Sequence, residues 1–183
     1  MKKSAGFVLG AVAVILLIIL DRITKNLAVV HLKGQEDFVL IKDVFVLHYL
    51  ENQGAAFGIM QEKQMLFYIA TIVILAVIVY FYWKLPTERR FFPLHVIAVL
   101  VIAGAIGNFI DRVTNKYVVD FFYFRLINFP VFNVADIYVT GGAIAFIVLL
   151  IFYYKETDFN QIWNKNKKCD QEPKPGTRNE NQE

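Results

Sequence analysis

The hydrophobic residues of this 183-residue chain are gathered into four long runs separated by polar segments. The runs cover about residues 5–20, 65–83, 91–110 and 131–154, and the first could extend to about Leu27. A helix needs about 20 residues to cross a hydrocarbon core of ~30 Å, and the runs approach or reach that length. The pattern therefore predicts an all-α membrane domain with four transmembrane helices.

Composition supports a membrane protein and indicates where the membrane domain ends along the chain. The sequence is 57% hydrophobic and 15% aromatic, which excludes an ordinary soluble domain. Residues 156–183 are polar and cannot bury enough apolar surface to become ordered. We expect a membrane domain over residues 1–155 and a disordered cytoplasmic tail over 156–183. The only cysteine, Cys169, lies in that tail, where it forms no internal disulfide.

Basic residues between and beyond the runs predict the orientation. Lys2 and Lys3 precede the first run, three basic residues lie in the loop 84–90, and Lys155 follows the fourth run. By the positive-inside rule, both termini face the cytoplasm. The outer segments are then about 28–64 and 111–130, although these also contain basic residues.

The first run could instead be a cleaved signal peptide, because it has a basic start and an apolar centre. A small-x-small cleavage site should then follow, but the chain continues with Asp21-Arg22-Ile23-Thr24-Lys25. These flanks favour a retained transmembrane helix.

The outer segments carry signals of their own. Around a polar break, β-forming residues in Asp37–Leu50 predict two short strands or a hairpin on the membrane surface. Residues 51–58 allow tight turns, and an ordinary loop is the simpler interpretation there. Residues 117–132 contain seven aromatic residues in sixteen and Pro130. This composition predicts a segment lying along or dipping into the outer membrane interface.

Two aspartates, Asp120 and Asp136, lie where so hydrophobic a chain should have none. An ionisable group at membrane depth costs roughly 2.5–3.5 kcal/mol on insertion scales and usually marks function. Neither aspartate has an evident basic partner nearby in the sequence. If the aromatic segment folds back to the outer end of the fourth run, the two carboxylates meet. They would then form a dyad that shares one proton and activates water.

Other polar residues have the spacing to join this site. Asn108, Asp111 and Arg112 share one helix face, and Asn133 lies three residues before Asp136. Arg112 could neutralise Asp111 or orient another carboxylate, whereas Asn108, Asn133 or Arg112 could bind an oxyanion.

Ion pairs that tie helix ends together are the plainer interpretation of two of these spacings. Asp21 and Lys25 are four residues apart at the end of the first run, and Asp111 is adjacent to Arg112. For both pairs we favour that structural role over catalysis.

In these residues the chain resembles the lipoprotein signal peptidases, also called signal peptidase II. Five motifs carry the resemblance, in order and on a four-span chain: Asp21-x-x-Thr24-Lys25, Asn52-x-Gly54-Ala55-Ala56-Phe57, Gly107-Asn108-x-x-Asp111-Arg112, Val118-Val119-Asp120-Phe121 and Phe132-Asn133-x-Ala135-Asp136. One departure is Ala103-Gly104-Ala105, where the family often has Gly-Gly-Ala.

The resemblance implies a fold, a reaction and a set of site residues. The fold would be four transmembrane helices with a small extracytoplasmic β-cradle and a flap-like segment over the site. The reaction would remove the signal peptide of a prolipoprotein just before its diacylglyceryl-modified cysteine, at the bacterial inner membrane. Asp120 and Asp136 map onto the catalytic pair. Motif positions that shape the site or contact substrate map onto Asp21, Lys25, Asn52, Gly54, Asn108, Arg112, Asn133 and Ala135.

Two functions of other classes would also place polar residues in membrane helices or at their ends. A small ion or proton transporter would spread its polar groups across the membrane, whereas here they gather near the predicted outer face. A structural or assembly subunit would tolerate loss of both aspartates. We expect no cofactor or metal, because His31, His48 and His95 are isolated. Membrane lipids are expected partners, nucleic acid is not, and a monomer suffices for the chemistry.

Overall fold

Four long helices and a small sheet make up the fold in a computed structural model, which describes residues 3–54, 64–158 and 162. The helices are α1 Lys3–Leu32, α2 Gln64–Lys84, α3 Phe92–Asn115 and α4 Val134–Phe152. All four are long and apolar enough to cross a membrane. The strands are β1 Phe38–Ile41, β2 Phe45–Asn52 and β3 Val118–Phe124. The predicted four-helix membrane fold with a small β-structure is confirmed.

Helix α3 is the centre of the bundle and contacts each of the other three helices. Glycines allow the close approach of α3 and α4. A Cβ added at Gly142 would lie 2.7 Å from Cγ2 of Val101, whereas Gly141 has nothing within 4 Å of the same position. Close packing at small residues is how membrane helices commonly associate. Gly142 therefore has a packing role, and the neighbouring Gly141 does not.

The sheet is antiparallel with the order β1-β2-β3. Strands β1 and β2 form the predicted hairpin, whose turn has Asp43 at a φ of 57°. Strand β3 comes from the aromatic segment, for which no strand was predicted. It pairs with β2 so that Leu50 lies opposite Asp120 and Asn52 opposite Val118. The strand places Asp120 beside the end of β2.

Two helices continue further than the hydrophobic runs. Helix α1 extends to Leu32 and α3 to Asn115, past the predicted starts of the outer segments at about residues 28 and 111. Lys25 is therefore inside α1 rather than at its end. Its charge is tolerated there because it is paired with carboxylates, as described below.

The end of the bundle away from the sheet contains a separate apolar cluster. Phe91 stacks on Tyr154, with ring centroids 6.0 Å apart, and both belong to a buried apolar group with Leu85 and Leu94. Arg90 makes two bonds of 2.5 Å to the carboxylate of Asp158. These contacts attach the start of the tail to the turn before α3.

Some predictions fall outside the described residues. Residues 55–63 are one such part, which includes the motif residues Ala55, Ala56 and Phe57 and any flap-like segment there. The tail at 159–161 and 163–183 is the other.

Candidate active site

Asp120 lies in β3 and is 1% exposed. Asn52 pairs opposite Val118, two residues before Asp120, so Asn52 and Asp120 lie on the same face of the sheet. The Asn52 amide donates a hydrogen bond of 2.8 Å to Oδ2 of Asp120. Asn52 is itself oriented by the backbone N–H of the buried Gly54, which donates to its Oδ1 at 3.0 Å. Strand pairing thus supplies one side of the site.

Asp136 is fixed by the start of α4. Asn133 is the N-cap residue, in an extended conformation, and its side-chain oxygen accepts from the backbone N–H of Asp136 at 3.0 Å. In return, the backbone N–H of Asn133 donates to Oδ2 of Asp136 at 3.1 Å. This is a reciprocal capping box, which satisfies helix-terminal donors and fixes the aspartate side chain.

Two asparagine amides join the carboxylates into one network. Nδ2 of Asn133 donates to Oδ1 of Asp120 at 2.6 Å and to Oδ1 of Asn108 at 3.1 Å. Nδ2 of Asn108 donates to Oδ1 of Asp136 at 2.7 Å. The hydrogen bonds therefore run without a break from Asp120 through Asn133 and Asn108 to Asp136, and the two predicted catalytic residues share one site.

The environment of Asp120 favours a bound proton. Burial and, to a smaller extent, the negative charge of Asp136 together raise the pKa of Asp120 to about 7, against the opposing effect of the Asn52 and Asn133 amides. A carboxyl group with such a pKa can hold or release a proton near neutral pH. The Arg112 guanidinium lies within electrostatic reach of both carboxylates.

A buried charge cluster supports the network from the α1 side. Nζ of Lys25 lies 2.8 Å from Asp21 and 2.8 Å from Asp111, and it donates to Oδ1 of Asn108 at 2.9 Å. Lys25, Asp21 and Asp111 are each at most 1% exposed. Arg22 also pairs with Asp111. The cluster orients the Asn108 amide, because Lys25 binds the oxygen and leaves the nitrogen to face Asp136.

Asp21 also fixes the position of α4. Its Oδ1 accepts from the backbone N–H of Ala135 at 3.1 Å, in the first turn of α4, where a negative charge is favourable. Ala135 is fully buried. A Cβ at Gly107 would lie 2.7 Å from Oδ2 of Asp21, so the absence of a side chain there gives the carboxylate its space.

One sequence-based pairing is corrected and one is extended. Asp111 pairs with Arg22 and Lys25 on α1 rather than with Arg112, since its side chain faces α1. The Asp21–Lys25 ion pair exists, but it is buried inside the bundle rather than placed at a helix end.

Arg112 contacts α2 through both its side chain and its backbone. Its guanidinium carbon lies 5.3 Å from the ring centroid of Phe67, and its backbone carbonyl accepts from the hydroxyl of Tyr68 at 2.8 Å. These two aromatic residues and Arg22 were not predicted as part of the site. Arg22 could have been suspected from its position inside the Asp21–Lys25 motif, but nothing in the sequence distinguishes Phe67 or Tyr68 from other residues of α2.

Comparison with known proteins gives a consistent result. The family model described as "Signal peptidase (SPase) II" matches residues 13–152. The lipoprotein signal peptidase of Clostridium tetani is 42% identical over 151 residues, 81% of this chain and 94% of that protein. The lipoprotein signal peptidase of Streptococcus pneumoniae is 42% identical over 156 residues, 85% of this chain and 97% of that protein.

The similarity extends to solved structures. A bacterial membrane enzyme determined by the in meso method at 2.3 Å resolution superposes with a TM-score of 0.70 at 36% identity. The match covers 80% of this chain and 92% of that one. A second such structure, at 1.9 Å resolution, gives a TM-score of 0.69 at 35% identity.

Proposed function

This chain belongs to the signal peptidase II family, and we propose from that premise that it is an aspartic endopeptidase of the bacterial inner membrane. Its substrates are prolipoproteins whose cysteine already carries diacylglycerol, and it cleaves the signal peptide just before that cysteine. The similar proteins of known name are lipoprotein signal peptidases, and the comparisons give no support to a transporter.

The convergence of Asp120 and Asp136 on shared asparagines carries the proposal. A peptidase needs one carboxylate to take a proton from water and one carboxyl group to give a proton or hydrogen bond to the scissile carbonyl. Two adjacent carboxylates cannot both ionise cheaply, so the pair titrates as a unit with one proton between them. The raised pKa of Asp120 supports such a shared proton at neutral pH.

Hydrolysis proceeds by attack of water on the scissile carbonyl and cleavage of the C–N bond. The ionised carboxylate takes a proton from water as the water oxygen bonds to the carbonyl carbon. The protonated carboxyl group hydrogen-bonds the carbonyl oxygen, on which negative charge develops. The C–N bond breaks as the nitrogen receives a proton from the dyad, which releases the signal peptide and the new amino terminus of the lipidated cysteine.

The surrounding residues orient the two aspartates and do not themselves transfer the protons. Asn52 and Asn133 orient Asp120, and Asn108 orients Asp136. We assign Arg112 to stabilisation of the developing negative charge, because it is the guanidinium within reach of both aspartates. Lys25, Asp21, Gly54 and Ala135 shape the site through the contacts described above.

The location of the reaction follows from the charge pattern of the loops. The basic segment 84–90 belongs on the cytoplasmic side, so the sheet and the dyad lie at the outer leaflet. There the signal peptide enters laterally from the membrane, with lipids around it, and a monomer is sufficient.

The test compares wild-type protein with Asp120→Asn and Asp136→Asn on a diacylglyceryl-modified prolipoprotein in detergent, with the size shift followed on a gel. We expect wild-type cleavage and loss of activity by at least 10³-fold in each variant, because removal of a catalytic group leaves only residual rate enhancement.

Asp43→Asn is the matched control. Asp43 is exposed in the β1–β2 turn at a positive φ that asparagine adopts readily. It makes the same change of charge, and we expect full activity. Near wild-type cleavage by the two dyad variants would contradict the site assignment. An inert wild type on several lipidated substrates would contradict the function.

A further inference from the structure

A large cavity lies at the end of the bundle opposite the dyad. It has a volume of about 1040 Å³ and opens between α1 and α3, with one residue of α2 on its side. Its apolar walls include Leu9, Leu16, Val99 and Leu100, and its mouth is formed by residues 87–89. From Phe92 to Asn108 the α3 axis rises by roughly 24 Å, which separates the mouth from the catalytic network by most of a hydrocarbon core.

The cavity follows the contact between α1 and α3 towards this end. At the other end, Gly107 leaves no space between α3 and Asp21. Towards their first turns, the α1 wall carries small residues, including Gly10 and Ala13, opposite Val99 of α3. A Cβ at Gly10 would meet the Tyr82 hydroxyl and lie 3.7 Å from Cγ2 of Val99, so the helices are closely packed there and the apolar groove lies beside this contact.

Aromatic residues close the α2 side of this groove. Tyr82 contacts His95 with ring centroids 5.1 Å apart and Phe7 with centroids 5.5 Å apart. His95 is fixed by a contact of 3.1 Å between its Nε2 and the Pro86 carbonyl oxygen. These contacts fix the aromatic wall in place. The cavity is therefore not an incidental gap between mobile side chains.

The two arginines at the mouth differ in their partners. Arg90 is occupied by Asp158, the Tyr153 carbonyl and the Tyr153 ring. Arg89 lines the cavity and is exposed, and its guanidinium makes no hydrogen bond or ion pair within the part of the chain that the structure describes. A guanidinium at the mouth of an apolar groove is suited to a phosphate whose attached chains lie along the groove.

We propose that this groove binds one phospholipid of the inner leaflet, with its phosphate on Arg89 and an acyl chain along the contact of α1 and α3. Charge decides against the alternative occupant, the amino-terminal end of a signal peptide. That end is basic, and the loop 84–90 at the mouth has three basic residues against the one carboxylate of Glu88. The site is separate from the dyad and does not depend on the proposed peptidase function.

The experiment uses the full-length protein, purified in detergent and incubated with phosphatidylglycerol that carries a photoreactive group in its acyl chain. Native mass spectrometry counts the bound lipid, and peptide mapping after irradiation locates the crosslink. We expect one retained phospholipid per chain and crosslinks on residues 9–17 and 96–100. Loss of the basic group in Arg89→Gln should weaken binding about fivefold.

Two alanines on α1 provide a matched pair that tests the groove itself. Ala13 lines the cavity, whereas Ala11 is exposed on the lipid-facing surface. Ala13→Phe should abolish the specific crosslinks, and Ala11→Phe should leave them unchanged. If Ala13→Phe folds poorly, Arg89→Gln and the crosslink map decide the question.

Several results would overturn the proposal. Equal crosslinking of all variants, or crosslinks spread around the helices, would mean only ordinary surrounding lipid. Equal retention of diacylglycerol and phosphatidylglycerol would remove the role of Arg89. Displacement of the lipid by a synthetic signal peptide with a basic amino-terminal segment, but not by an acidic one, would identify the groove as a substrate site instead.

Discussion

Asn133 has two functions within one side chain, and they can be separated by substitution. Its oxygen caps α4 through the Asp136 N–H, and its amide nitrogen donates to Asp120 and Asn108. Serine is also a good N-cap residue, but it has no amide to reach the second carboxylate. The position therefore allows stability and catalysis to be measured independently.

We expect Asn133→Ser to keep a melting temperature close to that of wild type but to cleave prolipoprotein about 10²-fold more slowly, since Asp120 loses a positioning bond. Asn133→Ala is the comparison and should be slow as well as less stable, because loss of the cap costs about 1 kcal/mol. Thermal unfolding and initial rates in the same detergent provide both measurements. Wild-type rates in the serine variant would show that the amide bond to Asp120 is unimportant.

The raised pKa of Asp120 makes stability depend on pH. This pKa rises from 3.8 to about 7 in the folded protein, so the folded state binds more protons than the unfolded state between these values. Wild-type stability should accordingly fall as the pH rises through that range. Asp120→Asn cannot ionise and lacks this contribution. Between pH 5 and pH 8, the variant should gain about 2–3 kcal/mol relative to wild type.

Melting curves at several pH values test this expectation, and only the change of the difference with pH matters. A constant offset reports the altered hydrogen bonds to Asn52 and Asn133 and not the proton. Asp43→Asn serves again as the control, and its exposed position should leave its curve parallel to wild type. Parallel curves for Asp120→Asn would mean that the buried carboxyl group does not carry the shifted pKa.

At the level of secondary structure, hydrophobic length was sufficient to predict the helices. Each apolar run became a helix, and the alternating segment 37–50 became the hairpin of β1 and β2. These features depend on neighbours in the sequence, which a single sequence displays. Even so, α1 continued to Leu32, past Asp21 and Lys25, because these two charges pair with each other and with groups on α3 and α4.

The remaining features depend on contacts between residues far apart in the sequence. Arg22 and Asp111 are 89 residues apart, and Asn52 and Asp120 are 68 apart. Strand β3 was missed because its aromatic residues are equally typical of a membrane interface. The resemblance to a family suggested which residues form the site, but only the fold shows that Asn133 connects both aspartates.

The contact between α1 and α3 depends on a missing side chain, and two glycines provide a matched test. Gly107→Ala would place a Cβ 2.7 Å from the Asp21 carboxylate. The resulting overpacking should destabilise the protein by about 1–3 kcal/mol and reduce cleavage by displacing Ala135. Gly141→Ala meets nothing within 4 Å, so it should be neutral or slightly stabilising. Equal melting temperatures for the two variants would contradict the close approach at Gly107.

On the scale of the whole molecule, its polar groups are divided between two ends. The dyad, its asparagines and the Lys25 cluster gather near the sheet, whereas Arg89, Arg90 and Asp158 lie at the start of α3. The central part of the bundle is apolar, which suits a protein that spans the bilayer and works at one surface. The orientation of the chain in the membrane decides whether the dyad lies on the outer face. Only there could it meet exported prolipoproteins.

The single cysteine of the chain allows a direct test of that orientation. Cys169 belongs to the predicted cytoplasmic tail, so a membrane-impermeant maleimide should label it in lysed cells but not in intact spheroplasts. In a Cys169→Ser background, Lys42→Cys introduces a thiol at an exposed position between β1 and β2, and it should be labelled in intact spheroplasts. The reverse pattern would place the dyad on the cytoplasmic side, where the exported part of a prolipoprotein could not reach it. Cleavage by the purified protein together with the expected labelling would establish both the reaction and the membrane face on which it occurs.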